Sequence, residues 1–136
     1  MTETQNLHLP QWEAEDRIMR TDFNTAMASI DAHCGSCEVV SGTYTGTGDY
    51  SSSGPSTLTF SAKPIAVFIT AKNSGTELPW LVMLRSANYG SLYLGQSEYV
   101  RTTWSDNSVS WYSVSSAAKQ GNKSNVGYAY VALLQK

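Results

Sequence analysis

Residues 98–114 read EYVRTTWSDNSVSWYSV, from Glu98 to Val114, and this stretch decides the fold. Val100, Thr102 and Trp104 alternate with polar neighbours, so in an extended chain they share one face. Asp106-Asn107 then separates this run from a second aromatic one, the composition of a tight hairpin turn. Two strands joined so closely must run antiparallel.

Working outward, the same period of two continues through the C-terminal three quarters of the chain. Strands are expected near 38–45, 56–61, 64–71, 80–85, 91–94, 98–104, 108–114 and 126–134. Leu58 and Phe60 alternate with polar residues, while Gly46, Gly48 and Gly54-Pro55 break the chain between the first two strands. No helical pattern intervenes and no repeat of solenoid period is present, which favours an antiparallel β-sandwich or small barrel over an α/β sheet. The expected division is 1–36 for an N-terminal arm and helix and 37–136 for the β-domain, giving a mainly β chain.

The N-terminal part has its own character. Glu3, Glu13, Glu15, Asp16, Asp22 and Asp31 all precede Cys34, leaving five acidic residues for the rest. Residues 1–20 read as an extended arm, because Pro10 lacks an N–H and biases Leu9 away from helix; Leu7, Leu9 and Trp12 supply apolar anchors. Thr21 is the expected N-cap of a helix whose first turn carries Asp22. Phe23, Ala26, Met27 and Ile30 form its apolar stripe, and Gly35 stops it. A helix of about three turns is marginal alone, so the stripe must pack on something, with Phe23, Met27 and Ile30 the expected oligomerisation contacts.

Composition narrows the function. Only 15% of the 136 residues are charged and the formal net charge is −2, with no cluster of Lys and Arg, which argues against nucleic acid as a partner. No apolar run is long enough to insert in a membrane, and no signal-peptide pattern opens the chain. Ser, Thr, Gly, Asn and Tyr dominate instead, a palette suited to exposed β-structure. Synthesis in the cytoplasm followed by release inside a particle reconciles these features.

His33-Cys34-Gly35-Ser36-Cys37 is half of a zinc site or a redox pair, but it closes a helix where a redox motif would open one, and no second Cys pair exists. A structural corner is expected, with no metal and no cofactor. His8 and His33 are the only histidines and both lie outside the β-domain, which leaves that domain without a Ser-His-Asp or Cys-His site. Asp49, Glu77, Glu98 and Asp106 fall beside turns, as solvated carboxylates do. The run Gly42 to Gly48 resembles a phosphate loop only superficially, since no helix follows, and it reads as a strand and bend. No enzymatic activity is expected. Among the many aromatic residues, those flanking turns are the expected ligand-binding positions: Tyr89 beside Asn88, and Trp104 beside Asp106 and Asn107.

The string NLHLPQWEAEDRIMRTDFNTAMASIDA, residues 6–32, resembles the opening of tail-fibre and tail-tip receptor-binding proteins of phages and prophages of gut Firmicutes. The match rests on Leu7, Leu9, Pro10 and Trp12, then Asp22, Phe23 and Asn24. The string CGSCEVVSGTYTGTGDYSSSGPSTLTFSAKPIAVFI, residues 34–69, resembles the β-domain attached in such proteins, through Gly42, Tyr44, Gly46, Gly48, Phe60 and Pro64. More distantly, the domain is similar to the compact sandwich of trimeric snail-type lectins. The resemblance implies a bacteriophage virion component in the tail, a homotrimer whose arm (Leu7, Leu9, Trp12) attaches to other phage tail proteins. Its β-domain then meets a host cell-surface glycan. The long shaft of a typical fibre is missing, so a purely structural tail or capsid decoration protein is the alternative.

Overall fold

The computed structural model describes residues 2–17, 19–34, 36–73, 81–92 and 99–136. Its elements are β1 (Thr2–Glu3), β2 (Pro10–Gln11), α1 (Arg20–Cys34), β3 (Cys37–Thr45), β4 (Ser56–Thr59), β5 (Lys63–Ala71) and β6 (Leu81–Leu84). There follow β7 (Tyr89–Leu92), β8 (Tyr99–Trp104), β9 (Ser108–Tyr112), α2 (Ala117–Gln120) and β10 (Gly127–Gln135). The chain divides into two compact units, Met1–Cys37 and Glu38–Lys136.

In the first unit the arm is not extended. β1 and β2 pair antiparallel, with Thr2 opposite Gln11 and Glu3 opposite Pro10. Thr4 closes the turn between them: its N–H donates to Leu9 O at 2.9 Å, and its Oγ1 accepts from Leu9 N at 2.9 Å. His8 takes φ 52°, the left-handed conformation this tight return requires. Pro10 is tolerated because the bonded pair is its neighbour Leu9 with Thr4, so the Pro10 nitrogen falls on the outer edge, where a missing N–H costs no ladder bond. Helix α1 starts one residue before the expected cap. Phe23 N donates to Met19 O at 3.2 Å, so Met19 holds the capping position and Thr21 lies inside the first turn. The helix ends at Cys34; Gly35, the expected stop, lies outside the described residues.

The second unit is the expected antiparallel, sandwich-like β-domain. Eight strands form one sheet of order β3-β10-β5-β6-β7-β8-β9-β4, and every register from β10 through β4 is antiparallel. The sheet folds over on itself, so that β9 meets β5 and Tyr44 of β3 lies edge-on to Trp111 of β9 with ring centroids 6.5 Å apart. Enclosed between the halves are Val67, Ile69, Leu81, Met83, Val100, Val109, Trp111, Tyr128, Ala132 and Leu134, all almost fully removed from solvent. Val100 points inward, as the alternation in residues 98–104 requires, and Trp104 packs against the same core. Trp80, at the start of the strand expected near 80–85, and Tyr93, within that expected near 91–94, lie outside the described residues.

Helix α2, a single turn absent from the sequence reading, bridges β9 and β10. Ser116 caps it by accepting Lys119 N, and Gly121 ends it at φ 71° with its N–H turned back to Ala117 and Ala118 carbonyls. The turn sets two amide side chains, Gln120 and Asn122, into the interior.

Candidate functional site: a cleft between the terminal strands

The sheet order leaves β3 and β4 as its two ends, each paired on one side only. A cleft of about 310 Å³ lies between them, walled by Tyr44 and Thr45 of β3, Ser56 to Leu58 of β4, and Thr47, Asp49 and Gly54 of the connection, over Trp111 and Asn122. That volume is at the small end of ligand pockets, roughly 300–1,000 Å³.

Its aromatic wall is fixed from behind. Tyr44 stacks on Tyr128 with centroids 5.1 Å apart and planes 17° from parallel, and its hydroxyl donates to Gly121 O at 2.7 Å. Burial, with a smaller contribution from neighbouring Tyr128, pushes the Tyr44 phenol far above the ordinary tyrosine range. Burial likewise raises Tyr128, partly opposed by the Lys123 N–H that donates to its hydroxyl. Both rings are neutral phenols across the physiological range.

The polar wall is stapled by the two amides from α2 and its exit. Gln120, with no solvent exposure, accepts Ser113 N at Oε1 (3.0 Å) and donates from Nε2 to Gly54 O (2.9 Å) and Ser56 Oγ (3.0 Å). Asn122 accepts Thr47 N at 2.9 Å and donates to Thr47 Oγ1 and Asp49 O, each at 2.9 Å. Thr47 Oγ1 in turn donates to Asp49 Oδ2 at 2.8 Å. Gly46 makes this closeness possible: a Cβ there would stand 2.2 Å from the main-chain oxygen of Lys123. The loop read as a plain bend is thus bonded to the turn that follows α2. Ser116 four residues before Gln120 and Gly121 just after it are the sequence signals of α2 that could have pointed here.

The residues expected to bind ligand do not converge. Tyr89 opens β7 on the outer face, opposite Arg101, whose guanidinium lies 5.8 Å from the Tyr89 ring centroid. Trp104 lies three positions from Arg101 along β8, hence on the opposite, inner face, and is only half-exposed. The Arg85 guanidinium sits 5.4 Å from the Trp104 ring centroid; its Nε donates to Pro64 O at 2.7 Å and its Nη2 donates to Ser105 O. Trp104 is therefore a packing residue with one face covered, not the open platform expected of it. Asp106 and Asn107 are exposed in the β8–β9 turn.

In the first unit, Leu7, Leu9 and Trp12 are half-buried, β2 touches helix α1, and Trp12 Nε1 is buried with no partner among the described residues. On α1, Ala26 is buried and Ile30 half-buried, while Phe23 and Met27 stand 52% and 48% exposed. Cys34 and Cys37 are both exposed thiols, and among the described residues no cluster of three or more His, Cys, Asp or Glu is arranged to hold a metal. No helix among them is long and apolar enough to cross a membrane.

A second surface was hidden from the sequence. On the outward side of β10, β5 and β6, Val131 stands opposite Phe68 and Phe68 opposite Val82, with Leu84 and Ile65 in the adjoining positions. All five are exposed by a third or more, and a groove of about 240 Å³ opens among Phe68, Val82 and Val131. Comparison of the chain with protein-family models, with curated proteins and with solved structures finds no match in any of the three.

Proposed function

We propose that the chain is a self-associating adhesive component of a bacteriophage tail, without catalytic activity, that holds a host-surface glycan. The apolar outer face of β10, β5 and β6 carries this reading. An antiparallel sheet ordinarily turns a polar face to water, and a contiguous apolar area on the order of several hundred Å² marks an interface.

A second copy is the occupant this face fits. Its outward positions on the three strands (Ala129, Thr70, Val131, Phe68, Val82, Leu133, Ala66, Leu84) carry no charge, so two such faces meet without stranding an ion. Exposed Phe23 and Met27 on α1 add a second apolar contact. The homotrimer and the attachment of the arm to other tail proteins rest on the resemblance of residues 6–32. Sedimentation velocity of the intact chain at micromolar concentration tests the proposal: a trimer is expected, and a monomer overturns it.

The alternative, a purely structural tail or capsid decoration protein, draws support from Trp104. That ring and Tyr89 face opposite sides of the sheet, so the turn aromatics form no shared sugar platform.

A further inference from the structure

We infer that the cleft between β3 and β4 binds a neutral, polyhydroxylated ring, the chemistry of one residue of an uncharged polysaccharide. The inference rests on the adhesive reading above and gives it a place and a ligand class.

The walls divide by chemistry. Half-buried Tyr44, backed by buried Trp111, presents aromatic carbon, the surface on which the C–H groups of a sugar ring pack. Asp49 and the rim of β4 complete the lining. One Asp49 oxygen is engaged by Thr47, while Oδ1 has no partner among the described residues. A carboxylate oxygen in that state accepts hydroxyl donors, and charge-assisted bonds of this kind are the strong ones. Thr45, exposed, also lines the rim. Because β3 and β4 end the sheet, each also keeps one row of main-chain N–H and C=O groups without a ladder partner among the described residues, and such groups suit alternating donors and acceptors on a ring.

The remaining polar groups are already committed. Tyr44 Oη, Asn122, Thr57 Oγ1 (2.7 Å from Ser110 Oγ) and Ser56 Oγ all bond within the protein. They fix the walls and leave little to order when a ligand arrives, which lowers the cost of binding. Charge narrows the ligand class: no Lys, Arg or His lines the cleft and Asp49 does, so a phosphate, teichoate or sialate would meet a carboxylate with no cation to offset it.

The test uses the intact chain in amide-resolved NMR, titrated to about 10 mM with the methyl glycosides of glucose, galactose, mannose and N-acetylglucosamine, because a single shallow site has a Kd on the order of 1 mM. At least one glycoside is expected to shift the amides of Tyr44 to Asp49 and of Ser56 to Leu58. Asp49→Ala is expected to weaken that binding about tenfold or more, and Thr45→Trp, which fills the mouth, to abolish it. Sodium phosphate and glycerol phosphate at matched ionic strength should leave the same amides in place. Both substituted positions are exposed, and unchanged thermal unfolding verifies that the variants fold. Failure of all four glycosides, shifts confined to other surfaces, response to the phosphates, or wild-type affinity in folded Asp49→Ala would each overturn the inference. Light scattering on the same samples separates the two proposals: an oligomer without glycoside shifts removes the site alone, and a monomer with cleft shifts removes the assembly alone.

Discussion

The indole N–H of Trp111 donates to the main-chain carbonyl of Gln120 at 2.7 Å, and neither residue is open to solvent. That bond ties the end of α2 to β9 directly beneath the cleft, and the Gln120 side chain then reaches on to Ser113, Gly54 and Ser56. Removing the amide would strand Ser113 N–H in the interior and leave the half-buried Gly54 C=O without its donor. Gln120→Ala should therefore lower stability by about 3 kcal/mol, since each orphaned buried group costs roughly 1–3 kcal/mol. Urea unfolding monitored by tryptophan fluorescence checks this; a loss below about 1 kcal/mol would show that water replaces the amide.

Phe68 sits at the middle of the apolar row between Val131 and Val82 and is 41% exposed. Phe68→Asp should dissociate the oligomer while leaving the folded β-domain intact, because an unpaired charge in a packed seam costs several kcal/mol but a half-exposed position tolerates it in the monomer. Sedimentation velocity reads the mass and circular dichroism the fold. Met27→Asp on α1 should weaken assembly less, if the sheet face is the main seam. Unchanged mass for Phe68→Asp would exclude that face.

The strands were legible because their signal is local. β-branched and aromatic residues at period two, broken by Gly46, Gly48, Gly54-Pro55 and Asp106-Asn107, place eight strands close to where they stand. The faces of β5 were not, because Pro64-Ile65-Ala66-Val67-Phe68-Ile69 is apolar at every position and carries no alternation to tell Val67, which is buried, from Phe68, which is not. The cleft was illegible for a different reason. It depends on which strands end the sheet, and on the contact of residues 46–49 with Asn122 more than seventy positions away. Hairpin turns announce neighbours, whereas the pairings of β3 with β10 and β4 with β9 are long-range. In the arm, Pro10 signalled extended backbone, and the return through His8 depended on a left-handed residue that is not glycine.

Alkaline titration probes the aromatic wall. Tyr44 and Tyr128 both have folded pKa values raised by burial. The unfolded chain ionises at the ordinary value of about 10, so above that pH it binds fewer protons than the folded chain. Stability is then fully present below about pH 10 and falls as pH rises further. Ultraviolet titration should show a set of tyrosines that ionises only together with unfolding. In Tyr44→Phe that late set should shrink by one. Ionisation of every tyrosine in one step near pH 10, with the fold intact, would contradict the buried stack.

Two glycines of the second unit should respond oppositely to one added methyl group. A Cβ on Gly46 meets main-chain atoms of Lys123 and Asn122 at 2.2 and 2.7 Å, and backbone cannot step aside as a side chain can. Gly46→Ala should cost about 2–3 kcal/mol and loosen the Thr47–Asn122 bonds. On Gly127 the nearest atom is the flexible Lys72 Cδ at 3.5 Å, an ordinary contact. Gly127→Ala should be neutral or stabilising by up to about 1 kcal/mol, through reduced freedom of the unfolded chain. Thermal unfolding of the pair distinguishes the outcomes, and equal effects would mean that the turn after α2 moves freely.

Trp104 supplies the sharpest contrast between the role expected from sequence and the one its surroundings impose. Its ring packs on the core and lies under Arg85, which is itself held by Pro64 O and Ser105 O. Trp104→Ala should therefore destabilise the domain by about 3–4 kcal/mol, the range for truncating a packed aromatic residue. Asp106→Ala and Asn107→Ala, one turn away and exposed, should stay within about 0.5 kcal/mol of the wild type; Asn107 bonds Phe60 N through its main-chain oxygen, which alanine retains. Arg85→Met should lose the two carbonyl contacts and the cation over the ring, but keep most of the apolar cover. Its loss should fall between the two groups. Chemical unfolding of the four variants orders them, and a Trp104→Ala domain as stable as Asp106→Ala would return Trp104 to the exposed surface.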